Sequence, residues 1–204
     1  MSGSRVRYCC IVFISQFLVH DASGQGTVVF DQQSSDESFP GVGGVLIQNA
    51  QRTGQSFTPS LNAIGFVRFN LFDQIRNNGT GATVYVNLRM DSITGSIVDS
   101  TAPVALPDNF GPNGFVNFFF GSNVPLLPGV KYYLQPVVQS GDTWGIIGDT
   151  FNYAGGEFYN QGVGTTLSDL WFREGIIVPE PSTAALLLIG GAIAYVRRRW
   201  KSHG

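Results

Sequence analysis

Residues 63–73 and 82–91 alternate apolar and polar side chains with a period of two, and that period decides what this chain can fold into. In the first run Val67, Phe69 and Leu71 point one way while Arg68 and Asn70 point the other. In the second, Val84, Val86, Leu88 and Met90 alternate with Tyr85, Asn87, Arg89 and Asp91. Successive strand residues face opposite sides of a sheet, so each run predicts a strand with one buried face. A helix needs apolar residues three and four apart, and no segment between 25 and 177 carries that pattern over a helix's length. Between the two runs, Arg76-Asn77-Asn78-Gly79-Thr80-Gly81 is rich in turn residues and predicts a hairpin joining them.

The rest of the stretch repeats the same grammar. Short apolar or alternating runs at 26–30, 95–100, 114–120, 130–138, 143–147, 156–160 and 169–174 are separated by Gly, Pro, Asn and Asp. Polar and glycine-rich residues at 31–44, and the stretches 106–113 and 124–129, predict loops. Nine or ten short strands so spaced predict one antiparallel β-sandwich or jelly roll over residues 25–177. Between 25 and 177 there are 14 Phe, 5 Tyr and 2 Trp, most of which must be core. Burying apolar area, at about 25 cal/mol per Å², is what holds a sandwich without disulfides together.

Both ends read as addresses. Arg5 and Arg7 precede a mostly apolar run at 8–19, and Ala22-Ser23-Gly24 supplies small residues of the kind a signal peptidase reads. Residues 1–24 are expected to be a signal peptide cut after Gly24, with Ala22 as the alternative. At the other end Val178-Pro179-Glu180-Pro181-Ser182 precedes an apolar run at 183–196 and the basic group Arg197, Arg198, Arg199 and Lys201. A charge-free segment closed by arginines holds its tail in the cytoplasm, so the preceding chain is expected outside the cell. The run is short of the about 20 helical residues that span a ~30 Å hydrocarbon core. It suits a transient span better than a permanent anchor, so 178–204 is expected to be a sorting segment with a short transmembrane helix and a basic tail. Pro-Glu-Pro, an apolar segment and terminal arginines, in that order, resemble the PEP-CTERM sorting signal of Gram-negative bacteria. The resemblance implies recognition by an exosortase, with Pro179, Glu180 and Pro181 as substrate residues of that enzyme.

Composition removes most catalytic chemistry from the exported part. Cys9, Cys10 and His20 lie in the signal peptide and His203 in the tail, so residues 25–177 contain neither cysteine nor histidine. Disulfides, thiolate nucleophiles, imidazole catalysis and Cys/His metal sites are thereby excluded there. The same residues carry six basic and twelve acidic side chains, a formal −6 against −2 for the whole chain. That balance argues against nucleic acid, whose phosphates demand cations, and fits neutral or cationic glycans.

The middle of the chain carries a second resemblance. Gln55-Ser56-Phe57-Thr58-Pro59, Val84-Tyr85-Val86-Asn87-Leu88-Arg89, the run from Leu127-Pro128-Gly129 to Tyr132-Tyr133-Leu134, and Asp169-Leu170-Trp171-Phe172-Arg173 are similar to jelly-roll ectodomains found ahead of PEP-CTERM tails. Those domains resemble carbohydrate-binding modules in layout. Tyrosine and tryptophan can stack on a sugar ring while hydrogen-bonding its hydroxyls. Trp144, Tyr153, Glu157 and Tyr159, in a stretch dense in loop residues, are therefore the first candidates for a glycan site, and Tyr85, Asn87 and Arg89 the second. Asp91, Asp142 and Asp149 are weak candidate calcium ligands, set against the turn-forming role such residues have. Glycoside hydrolysis would need two carboxyls across a cleft, with Glu157, Glu174, Asp149 and Asp169 as the available players. The chain reads as a non-catalytic, exported surface or matrix protein associated with exopolysaccharide and needing no cofactor. A lectin-like module is the alternative, and a small glycan hydrolase stands behind it.

Overall fold

Period-two runs become strands throughout the computed structural model, which describes residues 26–48, 52–111 and 113–179. The signal peptide, the hydrophobic C-terminal helix, Glu180, Pro181, Ser182 and the basic group at 197–201 lie outside the described residues. In chain order the strands are β1 (Thr27–Gln33), β2 (Gly43–Leu46), β3 (Gly54–Phe57), β4 (Ala63–Asp73), β5 (Ala82–Met90), β6 (Ile97–Ser100) and β7 (Val104–Leu106). They continue with β8 (Gly114–Pro125), β9 (Tyr132–Gly141), β10 (Trp144–Asp149), β11 (Phe158–Asn160), β12 (Val163–Thr165), β13 (Asp169–Leu170) and β14 (Phe172–Val178). No helix occurs among the described residues.

Two antiparallel sheets result. The first runs β1-β14-β4-β10-β13, with β8 on β4 and β2 on β10; the second runs β12-β11-β3-β9-β5-β6, with β7 on β5. The expected all-β, two-sheet architecture is present. The inner faces meet in one core: Val67, Phe69 and Leu71 of β4 and Val84, Val86 and Leu88 of β5 are all 0 % exposed, as their alternation predicts.

The expected hairpin is absent, because β4 and β5 belong to opposite sheets. Both edges of β4 are already taken, by β8 on one side and by β14 and β10 on the other, so no edge is left for β5. The link at 76–81 does turn, with positive φ at Asn77 (61°) and Gly79 (76°). Its backbone is held by Asp108, whose carboxylate accepts from Asn77 N at 3.0 Å and Gly79 N at 2.9 Å. Turn chemistry decides that the chain reverses; the free edge decides where it goes. The expected loop at 124–129 starts two residues late, since β8 runs to Pro125. Pro128-Gly129 then forms the central pair of a turn closed by Val130 N donating to Leu127 O, with Gly129 at φ 78°.

Nor does β4 have a single buried face. Phe66 and Asn70, on its outer side, are 1 % and 0 % exposed. The polar segment after β1 lies over them: Asn70 Nδ2 donates to Pro40 O, Trp171 Nε1 to Asp36 O, and Glu37 pairs with Arg68 at 3.0 Å and Arg173 at 3.8 Å. Arg173 also stacks over Phe30 and Trp171, and Phe66 packs between Phe30 and Phe119. This covering closes the middle of the first sheet's outer face.

Candidate functional site

Because Val84, Val86 and Leu88 point into the core, Tyr85, Asn87 and Arg89 must point out of the second sheet. β9 runs antiparallel beside β5 and sets Val137 opposite Tyr85, Gln135 opposite Asn87 and Tyr133 opposite Arg89. Paired residues share a face, so six side chains form two outward rows. They are tied together: Arg89 Nε donates to Gln135 Oε1 at 2.7 Å, Asn87 Nδ2 to the same oxygen at 3.2 Å, and Ser100 Oγ to Asn87 Oδ1 at 2.7 Å. Arg89 Nη1 donates to Gly95 O at 2.5 Å. Side chains fixed in this way lose little freedom when a ligand arrives.

These rows line a groove of about 340 Å³, whose wall also includes Ile47, Gln48, Arg52, Pro136 and Val138. Gln48 is anchored to the first sheet, accepting from Trp144 N at 3.0 Å and donating to Asp142 O. Along β5 the row from Tyr85 to Arg89 covers about 13 Å at ~3.3 Å per residue. A ring, three amides and two guanidiniums around a concave surface suit a ligand that is both flat and rich in hydroxyls.

The first set of glycan candidates divides. Tyr159 and Glu157 face outward at β11, where Tyr159 Oη donates to Glu157 Oε2 at 3.2 Å and Tyr159 meets Tyr133 edge-on at 5.5 Å. Tyr159 is opposite Gly54, which shares a face with Ser56 and its partner Tyr133, so it lies on the same face of the sheet as the groove. Partial burial, then Tyr133 and Glu157, push the Tyr159 phenol well above its usual range. Lys131 Nζ stands 3.9 Å from Glu157 Oε1. Trp144 is a correction: it is 0 % exposed, its indole N–H donates to Asp142 Oδ1 at 3.0 Å, and its ring leans on Phe110. It opens β10 on the inner face and has no surface to offer a sugar. Tyr153 is half-buried, edge-on to Phe172, with its hydroxyl donating to Gln32 Oε1 at 3.1 Å. Burial holds this phenol too well above its usual range.

Of the three candidate calcium ligands, two are occupied separately. Asp142 Oδ2 accepts from Asn78 Nδ2 at 2.6 Å, and Asp149 accepts from Val42 N at 3.1 Å and Thr150 N at 2.7 Å. These two sit beyond and at opposite ends of β10, while Asp91 follows β5 in a turn with φ 67°. Among the described residues no three Asp, Glu, His or Cys side chains converge as a metal group.

Of the four carboxyls considered for hydrolysis, Glu174 is the unexpected one. It is 0 % exposed, facing the sandwich interior beside Val67, with Oε1 accepting from Gln32 N at 3.1 Å and Oε2 without a partner. Burial, then the nearby charge of Asp31, pushes its pKa up to about 9. Asp169 is also buried, held by Gln55 Nε2 at 2.9 Å and Tyr153 N at 2.9 Å, and burial raises its pKa. Glu174 serves the interior, while Asp169 lines a separate pocket of about 240 Å³ with Asp149, and neither lines the groove. Nothing in the local run Phe-Arg-Glu-Gly marks Glu174 as inward except the parity it shares with Phe172.

The curated proteins compared with this chain yield no match. The model for the PEP-CTERM protein-sorting motif matches residues 178–199, beginning on Val178, the final residue of β14, opposite Thr27 of β1. This chain therefore carries the PEP-CTERM protein-sorting motif at residues 178–199, the mark of an exported, exosortase-sorted protein delivered to the cell surface.

Proposed function

We propose that the β-sandwich is a non-catalytic surface or matrix module that holds exopolysaccharide along the outer face of its second sheet, on a Gram-negative-type cell. The observation that carries this reading is the groove of about 340 Å³ in which Asn87, Arg89 and Gln135 are hydrogen-bonded together on adjacent strands beside Tyr85. Sugars are recognised by a flat ring face together with planar donors and acceptors that match hydroxyl pairs, and all of these converge there. A non-catalytic role is favoured because Glu174 is sealed in the interior, Asp169 is held by Gln55 and Tyr153, and Glu157 is engaged by Tyr159 and Lys131. No cofactor is part of the proposal, and binding is expected to persist in EDTA.

The test is affinity electrophoresis of the full-length protein, in detergent, through gels containing exopolysaccharide from the producing cells. Tyr85→Ala and Gln135→Ala are each expected to reduce retardation about tenfold or more, the scale set by losing one stacked ring or one fixed hydrogen-bonding group. Their thermal midpoints should stay close to that of the parent, because both side chains point out of the sheet. Unchanged retardation in both folded variants would refute this location.

A further inference from the structure

The charge of the groove differs from the charge of the domain around it. Six cations serve residues 25–177, against twelve acids. Among the described residues three of those cations are already paired with carboxylates: Arg68 and Arg173 with Glu37, and Lys131 with Glu157. Of the three that enter no such pair, Arg76 lies in the turn after β4, whereas Arg52 and Arg89 line this one groove. The lining contains no Asp or Glu. An acidic protein has thus left two of its few guanidiniums without counter-ions in the same concave surface. That is costly to a domain seeking a neutral-sugar platform and useful to one seeking an anion.

The geometry of Arg89 narrows the anion. Its Nε and Nη1 are committed to Gln135 Oε1 and Gly95 O, which fixes the plane of the guanidinium, and Nη2 carries no hydrogen bond within the described residues. Arg52 has a left-handed backbone, φ 72°, and its carbonyl accepts from Gly162 N at 3.2 Å, so its position is set by the turn between β11 and β12. A planar guanidinium held still favours a planar carboxylate through parallel N–H···O bonds. Asn87 and Gln135 are within the same lining to meet hydroxyls, and Tyr85 presents a ring.

We propose that the groove selects uronic-acid residues of an acidic exopolysaccharide, with the sugar carboxylate read by Arg52 and Arg89. This rests on the glycan-holding function proposed above and departs from the expectation, drawn from overall charge, of neutral or cationic glycans. The experiment is titration calorimetry of the full-length protein in detergent with three probes: polygalacturonate, dextran and dextran sulfate. Polygalacturonate is expected to bind at least tenfold more tightly than dextran, with an affinity that falls as salt is raised. Arg52→Gln and Arg89→Gln should each remove about tenfold or more of that affinity, the scale of a lost charge-assisted hydrogen bond. Arg52→Lys should recover only part of it. Arg52 is exposed and its replacement leaves the core untouched, so it remains informative even if Arg89→Gln perturbs β5. Equal binding of dextran and polygalacturonate, insensitive to both arginine changes, would overturn the acid selectivity while leaving glycan holding intact. Dextran sulfate binding as tightly as polygalacturonate would replace the carboxylate by generic anion attraction and also overturn it. Binding of none of the three, by folded protein, would overturn both proposals together.

Discussion

Replacing Glu174 with Gln is expected to flatten the pH dependence of this domain's stability between about pH 5 and pH 9. In the folded protein the Glu174 carboxyl is held at about 9 by burial and by Asp31, far above the ordinary carboxylate range of an unfolded chain. Below that ordinary range both states carry the proton, and the stability it contributes is fully present. As pH rises past it, the unfolded chain releases a proton that the folded one keeps, so the fold loses stability by about 1.4 kcal/mol per pH unit until the folded group also titrates. Gln resembles the protonated acid in shape and can still accept from Gln32 N, but it does not titrate. Asp169, also raised by burial, adds a loss of the same sign that persists in the variant. Asp31, held low chiefly by bonds from Leu61 and Ser60 against the penalty of burial, acts in the acid limb, where its stabilisation is lost as pH falls. Denaturant midpoints at pH 5, 7 and 9 should fall steeply for the parent and much less for Glu174→Gln. Parallel profiles would mean that Glu174 is not the titrating group.

Trp144→Ala should destabilise the domain rather than disarm a ligand site. The indole is fully buried, tilted against Phe110 at 5.7 Å and bonded to Asp142, so truncation leaves a large cavity and removes a partner of that carboxylate. Large aromatic truncations in cores cost about 3–5 kcal/mol. For a domain of this size that lowers the thermal midpoint by on the order of 10 °C. Tyr159→Ala, on the outward face, is the matched comparison and should shift the midpoint far less. A Trp144→Ala protein with the parent's midpoint and weakened glycan binding would return Trp144 to the ligand surface.

The contrast between these two aromatics marks how far the sequence could be read. Strand β4 was legible to the residue because its alternation is local, and the same is true of the inward set Val84, Val86 and Leu88. The sorting motif was legible because its proline pair, apolar run and arginines are contiguous. Allocation of β4 and β5 to different sheets was not, since it depends on which edges β8, β14 and β10 occupy first, and those partners are remote in the chain. Trp144 was misplaced for a related reason: a tryptophan at the start of a short strand gives no sign of which sheet face it will occupy. The short strands β2, β3, β7 and β12 contain too few residues to show a period. Of the groove, Tyr85, Asn87 and Arg89 were visible as one outward row; Gln135 and Arg52 join them only through the β5·β9 pairing and the turn at Gly162.

Sorting and holding are separate acts, and cells can distinguish them. The most direct measurement is the distribution of the protein between the exopolysaccharide fraction and the medium, comparing the parent with Tyr85→Ala/Gln135→Ala, together with the intact mass of each. Both forms should be processed identically, their masses differing only by the two substitutions, because the motif at 178–199 is unchanged, and the variant alone should be released into the medium. A variant that is processed like the parent and stays with the exopolysaccharide would contradict the assignment of the second sheet's outer face as the holding surface.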